Sequence, residues 1–208
     1  PAGLQSTVFS LSNVVIQSAI NSFGSTVVAG SSASSNLEGF VYTAMNAFAQ
    51  AAVTFTSQNT GAGKPERVRA GIKSATILGF VWSLVAFFLL YFGGAALVRM
   101  ITDSDTFVIG TAVKYLRINV PFYAFLCILC FFRSTLQGLG QKIIPVIASI
   151  IELSGKAIIV FVLVPRMGYL AVCICEPILW ILSGLLVSVP MYRFLKITHS
   201  PDSAQTCQ

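Results

Sequence analysis

Long apolar runs alternate along the chain with short polar breaks, and the breaks set the elements. The pattern predicts six long helices, over about residues 4–29, 36–59, 74–98, 106–137, 143–164 and 169–194. The first is expected to end in the small-residue run Gly30-Ser31-Ser32-Ala33-Ser34-Ser35, and the second at Gly61-Ala62-Gly63. Residues 65–75 keep helical spacing but carry charge. They predict an amphipathic lead-in lying on a membrane surface, with Pro65 at its N-terminus. The third helix is uncharged over residues 74–98 and filled by Trp82, Phe87, Phe88, Tyr91 and Phe92. After Arg99 and the polar Thr102-Asp103-Ser104-Asp105, Asp105 is placed to cap the fourth helix. Gly138-Leu139-Gly140 and Pro165-Arg166-Met167-Gly168 separate the last three. A bilayer span needs about 20 apolar residues. The expected fold is therefore an all-α integral membrane protein, a bundle of six transmembrane helices.

Composition narrows this further. Of 208 residues, 55% are hydrophobic and only 10% charged, against about 25% charged in soluble domains. So few charges cannot cover a soluble globule. The 16 Phe exclude disorder, and 5 Cys in this length exclude a secreted disulfide scaffold. The net charge is +6, but the basic residues stand mostly singly between apolar runs. No basic stripe is interleaved with aromatics, so no nucleic-acid partner is expected. The charges instead read as orientation marks. One side collects Lys64, Arg67, Arg69, Lys73, Arg133, Lys142, Arg193 and Lys196; the other has only Arg99, Lys114, Arg117 and Arg166. Basic residues favour the cytoplasmic side. Both ends are then cytoplasmic, in a multi-pass plasma-membrane protein, and reporters fused at Ser32 and Ser203 are expected on opposite sides. The chain opens on Pro1, and its first charge is Glu38. With no initiator Met and no basic n-region, it is expected to begin inside a longer protein. Residues 198–208 read as a short polar cytoplasmic tail.

The first two helices are too polar to face lipid. Ser6, Ser10, Asn13, Gln17 and Asn21 recur on one helical face, and Thr43, Asn46, Gln50, Thr54 and Ser57 on another. Such stripes must meet other helices or water. Adhesion between helices is one explanation. The wall of a hydrated cavity is the other, and two adjacent five-residue stripes favour it, with Asn13, Gln17, Asn21, Asn46, Gln50 and Thr54 as the lining. Four ionisable residues stand at or within membrane depth, where such groups are expensive and usually functional. Glu152 and Lys156 are four apart with the acid first, the favourable order for a helix ion pair. Glu176 precedes Pro177, which predicts a kink. Glu38 is placed at the outer start of the second helix, where the helix dipole favours an acid. Glu38, Glu152, Lys156 and Glu176 are the candidates for ion or proton coupling. Cys127, Cys130, Cys173 and Cys175 lie in apolar helices and read as small buried side chains rather than a metal or redox site. His199 stands alone in the tail. No hydrolase, nucleotide-binding or metalloprotease motif is present, so neither an enzyme, a cofactor nor a metal is expected.

Three stretches carry a resemblance. Residues 55–67 (FTSQNTGAGKPER) are similar to the end of the eighth span and the following loop of multidrug and toxin extrusion (MATE) transporters. Residues 132–140 (FRSTLQGLG) resemble the end of that family's tenth span, and residues 162–169 (VLVPRMGY) the link before its last. The resemblance implies twelve spans in two six-helix lobes, with this chain as the C-terminal lobe. A missing N-terminal six-span half, the lipid bilayer and small organic substrates are the implied partners. It also implies efflux of cationic or amphipathic compounds by antiport with Na⁺ or H⁺, with spans seven, eight and ten lining the cavity. NorM-like members place coupling acids in spans seven and ten. Residues 4–29 and 118–137 hold none here, so those sites do not transfer. A lipid-linked oligosaccharide flippase of the same superfamily is the alternative. It needs several basic residues for pyrophosphate, and the sequence offers only Lys156 at mid-depth. A non-transporting membrane scaffold, its stripes purely adhesive, is the other.

Overall fold

The structure is a computed structural model that describes residues 2–102 and 105–197. The tail at 198–208, including His199, lies outside the described residues. The elements are α1 (Ala2–Asn21), α2 (Ser25–Gly61), α3 (Pro65–Ile101), α4 (Thr106–Asn119), α5 (Tyr123–Gly138), α6 (Ile143–Ile158), α7 (Val164–Met167) and α8 (Tyr169–Ile197). A 3₁₀ turn, Val120–Phe122, joins α4 to α5, and a π turn, Ile159–Leu163, joins α6 to α7. Pro121 lies within the first, and Pro165 follows the second by two residues. Pro121 and Pro165 lack the N–H that would bond one turn back, so the helix tightens at one and widens at the other. Among the described residues there are thus six helical rods, as the pattern predicts.

Four rods are long and apolar enough to cross a membrane: Pro65–Ile101, Thr106–Gly138, Ile143–Met167 and Tyr169–Lys196. The first two rods fall outside that set, and they are the two with polar stripes.

Three boundaries differ from the expected ones. The break expected over residues 30–35 falls instead at Ser22-Phe23-Gly24, where Gly24 has φ 90°, a conformation that only glycine adopts freely. The small residues are a packing face inside α2. A Cβ on Gly30 would sit 2.8 Å from the Thr111 Cβ and 2.9 Å from the Val108 carbonyl oxygen, so only glycine admits α4 this closely. The Ser34 hydroxyl donates to the Gly30 and Ser31 carbonyls at 3.2 and 2.9 Å. Ser31 and Tyr169 share a hydrogen bond of 2.9 Å between their hydroxyls. In water such a run unravels toward solvent; against another helix it lets backbones approach. The first helix therefore covers 2–21 rather than 4–29, and the second 25–61 rather than 36–59. The third correction concerns residues 65–75, expected as a separate surface segment. They continue without a break into α3, which holds 37 residues. At 1.5 Å per residue α3 is about 55 Å long, well beyond a hydrocarbon core of about 30 Å. Its charged first turns extend past the apolar stretch rather than folding away from it.

The core gathers Met45 of α2, Val98 of α3, Leu116 of α4, Tyr123 and Leu136 of α5, and Val187 and Met191 of α8. A smaller cluster of Ile159, Ala171, Cys175 and Leu179 ties α8 to the π turn. Cys127, Cys173 and Cys175 are buried and unbridged, Cys130 partly so. Helix α1 leans along α6 and touches α2 much less. That asymmetry leaves a cleft between α1 and α2.

Candidate functional site

The cleft is floored by α5, α6 and α8 and holds three adjoining cavities. The central one, about 260 Å³, is bordered by Glu38, Arg133, Glu152, Lys156 and Glu176 together with Asn13, Tyr42 and Trp180. An inner cavity of about 350 Å³ shares Phe9, Tyr42, Cys130 and Arg133 with it and adds Asn46, Gln50, Ser134 and Gln137. An outer cavity of about 230 Å³ shares Asn13, Ser35, Glu38 and Glu176 and adds Gln17, Ser31 and Tyr115.

Five charged side chains meet here, and four of them pair across helices. The expected Glu152–Lys156 pair along α6 does not form. Arg133 Nη2 of α5 donates to Glu152 Oε1 at 2.7 Å, and Lys156 Nζ pairs with Glu176 Oε1 of α8 at 2.7 Å. Lys156 Nζ also donates to Asn13 Oδ1 of α1 at 3.1 Å and lies 5.9 Å from the Phe9 ring centroid. The reason is geometric. A residue four positions along the same helix offers one exposed contact, whereas a facing helix lets each charge be desolvated and held by its partner at once. Pro177 sits within the continuous α8, so the expected bend leaves Glu176 on a regular helix.

Glu38 was expected at a helix start. Because α2 begins at Ser25, Glu38 lies several turns inside it and faces the cleft. The Tyr115 hydroxyl donates to Glu38 Oε2 at 3.1 Å, and the Tyr123 hydroxyl to Oε1 at 3.4 Å. The two tyrosines flank the turn at Pro121. Among the described residues Glu38 forms no ion pair. The central cavity thus holds three carboxyls against two cations, a formal excess of one negative charge. Beneath it, Asn119 donates to the Tyr115 and Cys173 carbonyls at 3.0 and 3.1 Å and locks α4 to α8.

The six predicted lining residues divide. Asn13 lines the central and outer cavities, Gln17 the outer one alone, and Asn46 and Gln50 the inner one. Asn21, which accepts a hydrogen bond from Gln17 at 3.1 Å, and Thr54, which donates to the Gln50 carbonyl at 3.1 Å, are exposed outside these three cavities. Arg133 is the residue that sequence reasoning misplaced. It was grouped with the orientation marks, yet its side chain is only 14% exposed and lines two cavities. Its spacing was the available signal: Cys130 and Gln137, three before and four after, share its helix face and its cavity. Lys156 is therefore not the cleft's single base.

A hydrated cleft has a direct test. In a cysteine-free background, Gln50→Cys is expected to react readily with an aqueous thiol reagent, and Met45→Cys, fully buried in the core on another face of α2, to stay protected. Equal protection would show that the stripe is adhesive.

The chain matches the family model described as MatE over residues 1–163. Its fold is shared with a solved MOP superfamily transporter from Pyrococcus furiosus, at 17% identity and a TM-score of 0.82, covering 95% of this chain and 45% of that one. A multidrug resistance MATE family transporter of the MOP superfamily gives a TM-score of 0.82 in its outward-facing conformation, at 16% identity, covering 96% of this chain and 46% of that one. The inward-facing conformation gives 0.78 at 15% identity, covering 95% and 47%. The chain therefore spans less than half the length of these transporters. A comparison with curated proteins finds no match. With the model matching most of its length and the six-rod fold held in common, the chain belongs to the MatE family of membrane transporters.

Proposed function

We propose that this chain forms the C-terminal lobe of a plasma-membrane antiporter that exports cationic or amphipathic organic compounds in exchange for Na⁺ or H⁺. One observation carries the reading: Glu38 faces a cleft, held by two tyrosine hydroxyls, with no cation paired to it among the described residues. A carboxylate placed so has two uses. It can hold a coupling ion, and it can hold an organic cation, but not both at full strength. Competition of that kind couples the two fluxes in opposite directions as one lobe rocks against the other. The flippase alternative gains little from Arg133, because both cleft cations are already neutralised by carboxylates.

The test is transport by the reconstituted full-length protein. Ethidium export from proteoliposomes is expected to run only with an opposing Na⁺ or H⁺ gradient. Export that ignores both gradients, or no export at all, would overturn the reading.

The orientation follows the same reading. With Arg133 buried, the basic count of the first group falls from eight to seven against four, so the bias toward a cytoplasmic face at the α2–α3 and α5–α6 links survives. Since Ser32 lies inside α2, a reporter belongs at Gly24 instead. Fusions at Gly24 and Ser203 are expected on opposite sides of the membrane, Gly24 outside. Same-side signals would reject this topology.

A further inference from the structure

Away from the cleft, α2 and α3 leave an apolar groove on the flank of the bundle. It holds about 430 Å³, more than any of the three cavities along the cleft. Phe48, Ala52 and Phe55 line it from α2, and Gly71, Ala75 and Leu78 from α3. Small residues hollow it out, and at Gly71 even a Cβ would collide with the Phe55 ring. Helix α5 contributes only Thr135, whose hydroxyl donates to the Phe131 carbonyl at 2.9 Å. The groove is open at its side, where Phe55 and Leu78 are exposed. In a bilayer that side meets acyl chains.

The charge lies at one end. Arg67, Gly71, Ser74 and Leu78 follow one another at spacings of four, three and four and share one face of α3. Arg67 therefore stands one turn beyond the groove on the groove's own face, and Lys64, at the N-cap, follows one turn further out. Both are exposed, and among the described residues neither forms an ion pair. The other charges of this segment, Glu66, Arg69 and Lys73, recur at spacings of three and four on the opposite face. The mouth of the groove thus presents two cations and no acid. From Arg67 to Leu78 the helix rises about 17 Å. A headgroup layer is about 5–8 Å deep on each side of the bilayer. The groove starts in the charged turns of α3 and ends in its uncharged stretch, so it crosses from headgroup depth into hydrocarbon. Basic pockets between spans on the cytoplasmic side suit anionic lipid headgroups.

We propose that this groove binds an anionic phospholipid of the cytoplasmic leaflet, with its phosphate between Arg67 and Lys64 and an acyl chain lying between α2 and α3. The leaflet rests on the orientation given above, which the Gly24 and Ser203 fusions test on their own; the binding does not. A free phosphate has no reason to prefer this face to that of Arg69 and Lys73. A lipid does, because only this face continues into an apolar groove.

Native mass spectrometry of the purified full-length protein, released from detergent with added phospholipid, reads the bound lipid directly. Dioleoylphosphatidylglycerol is expected to bind at least about tenfold tighter than dioleoylphosphatidylcholine, whose choline offsets the phosphate charge. Lys64→Gln/Arg67→Gln should bring the ratio of the two affinities to about one. Arg69→Gln/Lys73→Gln removes the same charge from the opposite face and should leave the ratio unchanged. Ala51→Trp fills the groove without touching a charge and should weaken phosphatidylglycerol binding by about tenfold. All five altered positions are exposed, so each variant is expected to fold. A soluble glycerophosphate, which carries the phosphate without chains, should not displace the lipid. If the two double variants lower the ratio alike, the lipid answers only to the general field of a basic surface. If glycerophosphate competes, the site belongs to free phosphate. Either result, or equal affinities for the two lipids in the unaltered protein, or binding untouched by Ala51→Trp, would overturn the inference while ethidium export still stood.

Discussion

Glu38→Gln is expected to cut gradient-driven export by at least about tenfold while leaving the protein folded. The substitution nearly preserves shape: of the Tyr115 and Tyr123 hydroxyls that now sit 3.1 Å from Oε2 and 3.4 Å from Oε1, one donates to the amide oxygen and the other accepts from the amide NH₂. What it removes is the charge. An interaction between an ionised group and its partner is worth about 1.5–3 kcal/mol, so losing the one with a coupling ion lowers export by about 10-fold to 150-fold. Glu38→Ala removes the acceptor as well and strands two buried hydroxyls, at about 1–3 kcal/mol each. It is expected to lose stability in addition to transport. The comparison separates the two roles: export rates in proteoliposomes report the charge, and thermal unfolding reports the hydrogen bonds. A Glu38→Gln protein that still exports under an ion gradient would move coupling elsewhere, to Glu176 or to the other half.

Glu38 also shows why part of this site was hidden in the sequence. Its role depended on where α2 starts, and that start was misjudged from residues 30–35. A run dominated by glycine and serine is read as a loop because in water these residues favour turns. Between helices the same residues are smooth ground, and Gly30 meets Thr111 there at a distance that no other side chain allows. The true break, Ser22-Phe23-Gly24, rests on a single glycine at φ 90°, a weaker mark on paper than a six-residue run. The other turns, at Gly63, Gly140 and Gly168, each hold a positive-φ glycine at a predicted boundary, so the later four rods were readable. Their apolar runs leave no competing assignment.

The charged residues were half legible for a different reason. That Glu152, Lys156 and Glu176 matter follows from the cost of placing them at membrane depth, and no partner needs to be known. Which charge meets which is set by how α5, α6 and α8 face one another, and no spacing along one helix encodes that. Within α6 the favoured partner of Glu152 was Lys156. In three dimensions Arg133 took the acid, and Lys156 turned to Glu176 and Asn13. The polar stripes fared similarly. Periodicity put Asn13, Gln17, Asn46 and Gln50 on the right faces, but it could not say where the cleft ends, and Asn21 and Thr54 fall beyond it.

The Arg133–Glu152 pair yields the largest expected stability effect. Both side chains are well buried, at 14% and 8% exposure, and their 2.7 Å contact is the only bond recorded for either side chain among the described residues. Removing one member leaves the other charged and mostly shielded from water, which costs up to about 3–5 kcal/mol. Arg133→Gln is therefore expected to unfold at a markedly lower temperature than the unaltered protein. Adding Glu152→Gln removes the stranded charge and lets two amides bond to each other. The double variant is expected to recover most of the loss, because replacing a buried ion pair by neutral groups that fill the same space is often nearly neutral. The second pair provides a scale. Lys156→Gln strands Glu176, whose side chain is 19% exposed, so water can take up part of its charge and the cost is smaller. Thermal unfolding of the four proteins decides the matter. If Arg133→Gln and the double variant are destabilised alike, the loss comes from packing of the arginine stem and the two charges are not coupled. If the double variant recovers, the cleft is organised by electrostatics, and the cross-helix pairing that the sequence concealed is what holds α5 against α6.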